Sequence, residues 1–439
     1  MEELVTRIRT TNATELKSIL ESDACVQSLA NSDRDTLLAA AASLDPGLQS
    51  LGCLYLLDAV GRASPDTHRN MDLLAAEVAL LENGDASQLQ LSMPLVARLA
   101  RRMKSAALRE GAGKSALCTL RKAALRLIPG TKYISPLHAD IFQLCILTKN
   151  YHAALPFIEH EAYDVDPSKT GSTNLDVLLY CYYGGLVETT RRRYACALWF
   201  FECALSVPSG VVSAVTIAAA KKWMLLHVLH KASVGVLPKS APPILSRTVK
   251  SECALYLTAG RHLTVVGPLP DLASWLETSA PAFIQDGNWG LLQLALQASK
   301  ARAVRRLTKV YTTIAFEKAA ELLSLDVREV EPLILRMVDS GELTASIDQE
   351  HGTVRFGDAS TSQVDSLKQL EGVLERCMAA SRRLSAMNQA VQLEQAYMGR
   401  TAAGGGAAVG PSAPDQSNQE ERAAMDVTAA AAGDEAAST

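Results

Sequence analysis

Nowhere in the 439 residues does an apolar run reach the roughly 18–20 residues that a membrane-spanning helix needs. The opening stretch, "MEELVTRIRTTNATELKSIL", is charged along its length and holds no apolar core of the kind a secretory leader carries. These two absences lead us to expect a soluble, intracellular protein. No C-x-x-C pair occurs among the nine cysteines, and each cysteine sits in an apolar helical pattern, as Cys181 does in "LLYCYYGG". They read as buried free thiols of a reducing compartment. Basic residues are not in excess. Lys and Arg number 43 against 47 Asp and Glu, and a formal net charge of -4 gives no overall pull toward nucleic acid or anionic lipid. Aromatic residues are only 5% of the chain, while Ala and Leu dominate, which favours helix over strand.

The usual signatures of catalysis are missing as well. There is no His-Glu-x-x-His, no His-x-His followed by Asp, and no Gly-x-Ser-x-Gly; no Cys–His pair is singled out. His227 and His230 lie three apart on one helical stretch without a Glu or Cys at ligand spacing. "EGAGKSA" at 110–116 imitates part of a phosphate-binding loop. Leu108 stands where that motif needs its first glycine, and a helical segment precedes it instead of a strand, so it reads as a helix–helix turn. No enzymatic activity, metal or cofactor is expected.

What the chain does contain is helix after helix. Residues 1–130 read as short amphipathic helices, with apolar spacing at Leu16, Ile19 and Leu20 and again at Leu51, Leu54, Leu56 and Leu57. "LDPG", "RASPD", "LENGD" and "LIPG" punctuate them. In 131–285 a weak repeat appears: "NYHAALPFIEHEA" (150–162) can be laid on "RYACALWFFECAL" (193–205). Each would be the second helix of a hairpin whose first helix is "LHADIFQLCILTK" or "NLDVLLYCYYGGLVETT". Small residues such as Gly185, Ala197 and Ala204 would let facing helices approach, with Phe201 and Leu205 filling the gap, the packing rule of tetratricopeptide-like solenoids. Further helices are expected at 211–231, 247–265 and 268–278.

From 286 to 358 the order changes to a winged helix. "NWGLLQLALQASKARAVRRLTKVYTTI" gives a helix with a short β-prone end, "AFEKAAELLSL" a second helix, and Asp326 opens a third with Glu329 placed for a capping box. That helix would bury Val330, Leu333, Ile334, Met337 and Val338, with a bend or irregular turn at Pro332. In "DSGELTASIDQEHGTVRF" Leu343, Ala345 and Ile347 alternate with Thr344, Ser346 and Asp348, and Gly352 can close a hairpin onto Val354 and Phe356. A long helix at 362–398 follows. It carries a heptad seam through Leu367, Leu370, Leu374, Cys377, Ser381, Leu384, Asn388 and Val391. The Ala/Gly-rich remainder, 399–439, is expected to be disordered.

Winged helices often read DNA, but here the third helix and its exit carry Asp326, Glu329, Glu331, Asp339 and Glu342 against Arg328 and Arg336. That balance repels phosphate. The basic runs at 191–194 and 300–306 can contact nucleic acid or pair with neighbouring carboxylates. A sheet edge that adds itself to another chain is the other use of such a fold.

Helical repeats, winged helix and heptad helix in that order resemble the PCI-domain family, shared by the proteasome lid, the constitutive photomorphogenesis 9 signalosome and translation initiation factor three. Within it the likeness is to the family of signalosome third subunits, carried by "LHADIFQLCILTKNYHAALPFIEHEAYDV" (137–165), "LLYCYYGGLVETTRRRYACALWFFECALSVP" (178–208), "VRRLTKVYTTIAFEKAAELLSL" (304–325) and "ILRMVDSGELTASIDQEHGTVRF" (334–356). The resemblance implies a mainly α protein whose PCI domain spans about 192–360. It implies a non-catalytic scaffold, of cytoplasm and nucleus, in a hetero-oligomer that removes Nedd8 from cullin-RING ubiquitin ligases and in plants represses photomorphogenesis. A scaffold of a sister complex, the proteasome lid or an mRNA-export assembly, is the alternative, and a heptad helix alone also allows a homodimer. The contacts implied are a winged-helix edge at Thr344, Ser346, Asp348, Thr353 and Arg355, and a C-terminal helix bundle through Leu367, Leu370, Leu374, Cys377, Leu384 and Val391. Partners would be other signalosome PCI subunits and, through the complex, cullin-RING ligases, with no nucleic acid and no membrane.

Overall fold

The computed structural model describes residues 2–63, 71–159, 164–264, 272–323, 325–357 and 363–393. It forms two units, 1–356 and 357–439. The first opens with α1 (Glu2–Thr10), α2 (Ala13–Leu20), α3 (Asp23–Ala30), α4 (Arg34–Ala42), α5 (Ser50–Ala63), α6 (Met71–Asn83), α7 (Ala86–Gln90), α8 (Met93–Arg109) and α9 (Gly113–Leu127). Next come α10 (Pro136–Leu147), a 3-10 turn (Tyr151–Ala154), α11 (Leu155–Glu159), α12 (Pro167–Thr170), α13 (Asn174–Thr190) and α14 (Tyr194–Ser206). α15 (Ala214–Lys231), α16 (Pro243–Glu252), α17 (Ala254–Thr264) and α18 (Leu272–Gln285) complete the solenoid. The winged helix is α19 (Trp289–Thr308), β1 (Thr313–Ala315), α20 (Phe316–Leu323), α21 (Val327–Asp339), β2 (Ala345–Asp348) and β3 (Thr353–Phe356). In the second unit α22 (Gln363–Leu393) is described; the tail at 399–439 and the last residues of the expected helix, 394–398, lie outside the described residues.

The α13–α14 hairpin shows why the sequence pattern works. A Cβ on Gly185 would stand 2.8 Å from the Phe201 ring, and one on Gly184 would stand 2.8 Å from Phe200. The helices therefore pack with aromatic faces against bare backbone. Thr173 and Asp176 cap α13 reciprocally, with 3.0 Å from the Thr173 amide to Asp176.

The other copy of the repeat departs from expectation. Instead of a full helix over 150–162, the chain makes a 3-10 turn and then the five-residue α11. The Leu155 N–H bonds to the His152 carbonyl. Pro156 has no N–H to make the α-helical bond to that same carbonyl, so the tighter turn persists. Residues 160–162 lie outside the description. Two more expectations change. The single helix at 247–265 is two, starting earlier at Pro243 and broken at Cys253. Of the helix expected at 268–278, residues 268–271 lie outside the described residues; the rest is α18, which runs on to Gln285 through Pro281.

Basic residues of α8 tie the solenoid together. Arg98 reaches the buried Asp58 of α5 at 3.1 Å, Arg102 reaches Glu77 of α6 at 2.5 Å, Lys104 reaches Asp140 of α10 at 2.5 Å, and Arg101 bonds Asp176 of α13. Burial pushes the Glu77 and Asp140 carboxyls up, and the cations pull them back. Such buried pairs specify geometry more than they add stability. They also show that α8 runs alongside α10 and α13 in the same direction. Lys104, one turn beyond Arg101, meets Gln143 (2.6 Å), one turn beyond Asp140. Gly171, just before α13, abuts Pro94 at the start of α8.

Two outcomes are expected. Gly185→Ala should lower stability by about 1–3 kcal/mol through overpacking against Phe201, read by urea denaturation. His138 is buried, and its Nδ1 accepts from the Ser135 N–H at 3.3 Å, so the imidazole is neutral. Burial lowers its pKa to about 4. The unfolded chain then takes up a proton below about 6.5 that the folded chain refuses, so stability is full above that pH and falls as pH drops toward 4. Between pH 7 and 4.5 the native protein should lose about 2.5 kcal/mol more than His138→Gln does, measured by the same denaturation.

Candidate assembly surfaces

The winged helix holds its small sheet with a separate apolar cluster: Val304, Ile314, Ala319, Ala320, Val330, Leu333, Ile334, Met337, Val354 and Phe356. Val338 is half-buried at its margin, and α21 runs unbroken through Pro332. The expected capping box does not form. Asp326 accepts from the Arg328 N–H, but Glu329 turns outward to Lys300 at 3.1 Å. A cation from α19 within reach outcompetes the local bond to the N-cap backbone.

The sheet order is β1-β3-β2, both pairs antiparallel. Arg355 faces Thr313 on one side and Ser346 on the other; Thr353 faces Ala315 and Asp348. This corrects one expectation. Thr353 and Arg355 belong to the central strand, so their backbone lies within the ladder and they cannot form an edge. Their place is on the outer surface, where Arg355 is exposed and Thr353 half-buried. Thr344, Ser346 and Asp348 are exposed along β2 and its approach. The outer side of β2 pairs with no strand among the described residues. Asp348 itself is occupied with the turn. It accepts from the Glu350 and His351 N–H groups at 3.1 and 3.3 Å, and His351 Nδ1 lies 2.9 Å from its other oxygen, which holds the carboxyl below its ordinary pKa. Gly352 closes the turn with φ +60°.

Three of the four cations in the basic run at 300–306 are engaged by neighbours, while Arg306 is exposed. Lys300 pairs with Glu329, Arg305 with Glu342 at 2.7 Å, and Arg302 donates to the Leu229 carbonyl at 3.2 Å. Arg191 and Arg193 of the other basic run pair with the buried Glu188. On the third helix and its cap, Asp326, Glu331 and Asp339 remain against Arg328 and Arg336.

A polar knot that sequence reasoning missed sets where α19 begins. Lys222 donates to Asn288 Oδ1 (2.5 Å), Asn288 donates to the Tyr256 hydroxyl (2.8 Å), and that hydroxyl donates to Asp286 (2.7 Å), which also pairs with Lys221 (2.7 Å). Burial pushes the Tyr256 phenol up and the Lys222 ammonium down. Burial alone would raise Asp286, but the bonds from Lys221 and Tyr256 hold it below the usual carboxylate value. The left-handed Gly287 (φ +66°) between Asp286 and Asn288 is the only local signal in the sequence.

α22 is 31 residues long and presents Leu370 (61% exposed), Leu374 (55%), Cys377 and Leu384 (68%) to solvent, with Val373 and Met378 widening the stripe. The side chains of Leu367 and Val391 lie outside the described ones. Among the described residues no group of three His, Cys, Asp or Glu is placed to hold a metal. His227 bonds Ser233 instead. The "EGAGKSA" stretch is the α8–α9 turn, with Gly111 left-handed at φ +72°.

Comparison with known families places these elements. Residues 10–245 match the family model of the COP9 signalosome complex subunit 3 N-terminal helical repeats. The chain belongs to that subunit 3 family. Residues 282–358 match the PCI domain, so the winged helix is the PCI end of a signalosome subunit 3 relative. Two curated family members extend the match over both parts. COP9 signalosome complex subunit 3 of Dictyostelium discoideum is 28% identical over 376 residues, 84% of this chain and 88% of that one. Its Arabidopsis thaliana counterpart is 25% identical over 361 residues, 81% and 82% of the two chains.

Asn288→Ala removes both the acceptor for Lys222 and the donor to Tyr256. A loss of about 2–3 kcal/mol is expected in denaturant titrations, because buried polar groups are left unpaired. Asn288→Gln, which keeps the amide, should recover part of it.

Proposed function

We propose that the protein is a non-catalytic scaffold subunit of the COP9 signalosome, the assembly that removes Nedd8 from cullin-RING ubiquitin ligases. In this reading its direct partners are other PCI subunits, the ligases are reached through the complex, and it acts in cytoplasm and nucleus. The observation that carries the reading is the exposed leucine stripe of α22. Burying one such side chain is favourable by about 1.5–3 kcal/mol, so a helix with three at heptad spacing is a docking element. The unpaired side of β2 supplies a second, directional contact through main-chain hydrogen bonds. Sharing a family with proteins named signalosome subunit 3 identifies the assembly in which these contacts would be made.

A chain truncated at Ser362 should keep its thermal midpoint and lose only the circular dichroism of α22's 31 helical residues, yet elute alone when expressed in cells and sized on a column. Its full-length counterpart should elute in a large complex whose other members mass spectrometry identifies. Normal assembly of the truncated chain would exclude α22 as the docking element.

A further inference from the structure

The first helices of four successive hairpins end on a residue with left-handed backbone: α8 on Gly111, α10 on Lys149 (φ +56°), α13 on Arg192 (φ +60°) and α15 on Ala232 (φ +54°). In the first three the next residue's N–H reaches back five positions, Ala112 to Ala107, Asn150 to Cys145 and Arg193 to Glu188. Since α8, α10 and α13 run in one direction, their turns share one edge of the solenoid. A Cβ on Gly113 would touch Thr148, so the first two turns are in contact. Glycine is the residue that takes this conformation without strain, and it does so at Gly171, Gly287, Gly341 and Gly352. Lys149 and Arg192 hold it against a steric penalty. Strained positions of this kind gather where a side chain has a task.

The charge of the edge points to the task. Arg109, Lys114, Lys149 and Arg192 are all exposed, and their side chains make no ion pair among the described residues. The triplet 191–193 is sorted by the fold. Arg191 (2.5 Å) and Arg193 (3.4 Å) fold back onto Glu188, and Arg192 alone is turned out by its left-handed backbone. Glu110 is the one exposed carboxylate in these three turns, since Glu188 is buried. Cations at helix C-termini are favoured by the helix dipole, but a lysine one turn earlier meets that need without strain.

We propose that this edge docks an acidic polypeptide segment, with Lys114, Lys149 and Arg192 as the contact residues. A protein segment is favoured over a duplex because four cations around a carboxylate fall short of the roughly 6–10 phosphate contacts of a typical duplex binder. The inference is independent of the scaffold reading, since it concerns neither α22 nor the sheet.

The test uses the full chain and two short labelled peptides, one of repeating Glu-Ser and one of repeating Gln-Ser, with fluorescence anisotropy as readout. The Glu peptide should bind and weaken with added salt; the Gln peptide should not bind. The double variant Lys149→Gly/Arg192→Gly should bind about tenfold more weakly, while its thermal midpoint holds or rises because strain is relieved. Lys149→Asn/Arg192→Asn, which suits the same backbone, should lose affinity equally. Equal binding of the two peptides, undiminished binding by either double variant, or tighter binding of a DNA duplex than of the Glu peptide would overturn the proposal.

Discussion

One helix belongs to two cores. The N-terminal half of α19 places Leu292 and Ala295 in the solenoid cluster, and its C-terminal half places Val304 in the winged-helix cluster. Its start is pinned by Asn288 to α15 and α17, its middle by Ser299 to the Leu263 carbonyl (2.9 Å), Lys300 to Glu329 of the third helix and Arg302 to the Leu229 carbonyl, its end by Arg305 to Glu342 at that helix's exit. Twenty helical residues span about 30 Å, so these ties act along a rod rather than at a hinge. The sheet is therefore carried in a set orientation by the helical repeats.

That constraint explains how a fold often used on DNA is turned to protein contact. Three of the four cations in the 300–306 run, Lys300, Arg302 and Arg305, are engaged within the molecule, where they hold α19 to its neighbours. Asp326 and Asp339 of the third helix stay exposed. β3 is enclosed between β1 and β2, so the sheet offers β2 as its longer edge, and the turn beyond it is braced by Asp348 and by Gln349 bonded to Glu331 at 2.6 Å. An edge on a braced turn and a rigid helix can align a neighbouring strand.

The parts of the fold legible in the sequence are those decided by neighbours in the chain. The α13–α14 hairpin could be read because Gly185 and Phe201 are packing partners within one supersecondary unit. The inward and outward alternation around Ile347 could be read because side-chain period is a local property of a strand. Strand order is not local. β1 arrives from before α20 and α21 to cover β3, so alternation gave the outer face of Thr353 and Arg355 but not their central position. The second helix of the first repeat is not legible from the likeness of 150–162 to 193–205, because the missing N–H of Pro156 interrupts it. Glu329 was misread because its capping role depends on Lys300 being out of reach, which only tertiary structure decides. The Asn288 knot joins residues from three separate helical segments and leaves no spacing to detect.

Native-state amide hydrogen exchange along α19 tests the central claim most directly. If the helix fuses repeats and winged helix, the amides near Leu292 and those near Val304 open with one free energy and shift together in urea. Separate opening of the two ends, with the Val304 end exchanging through a lower-energy event, would contradict it and make the winged helix an independently mobile domain.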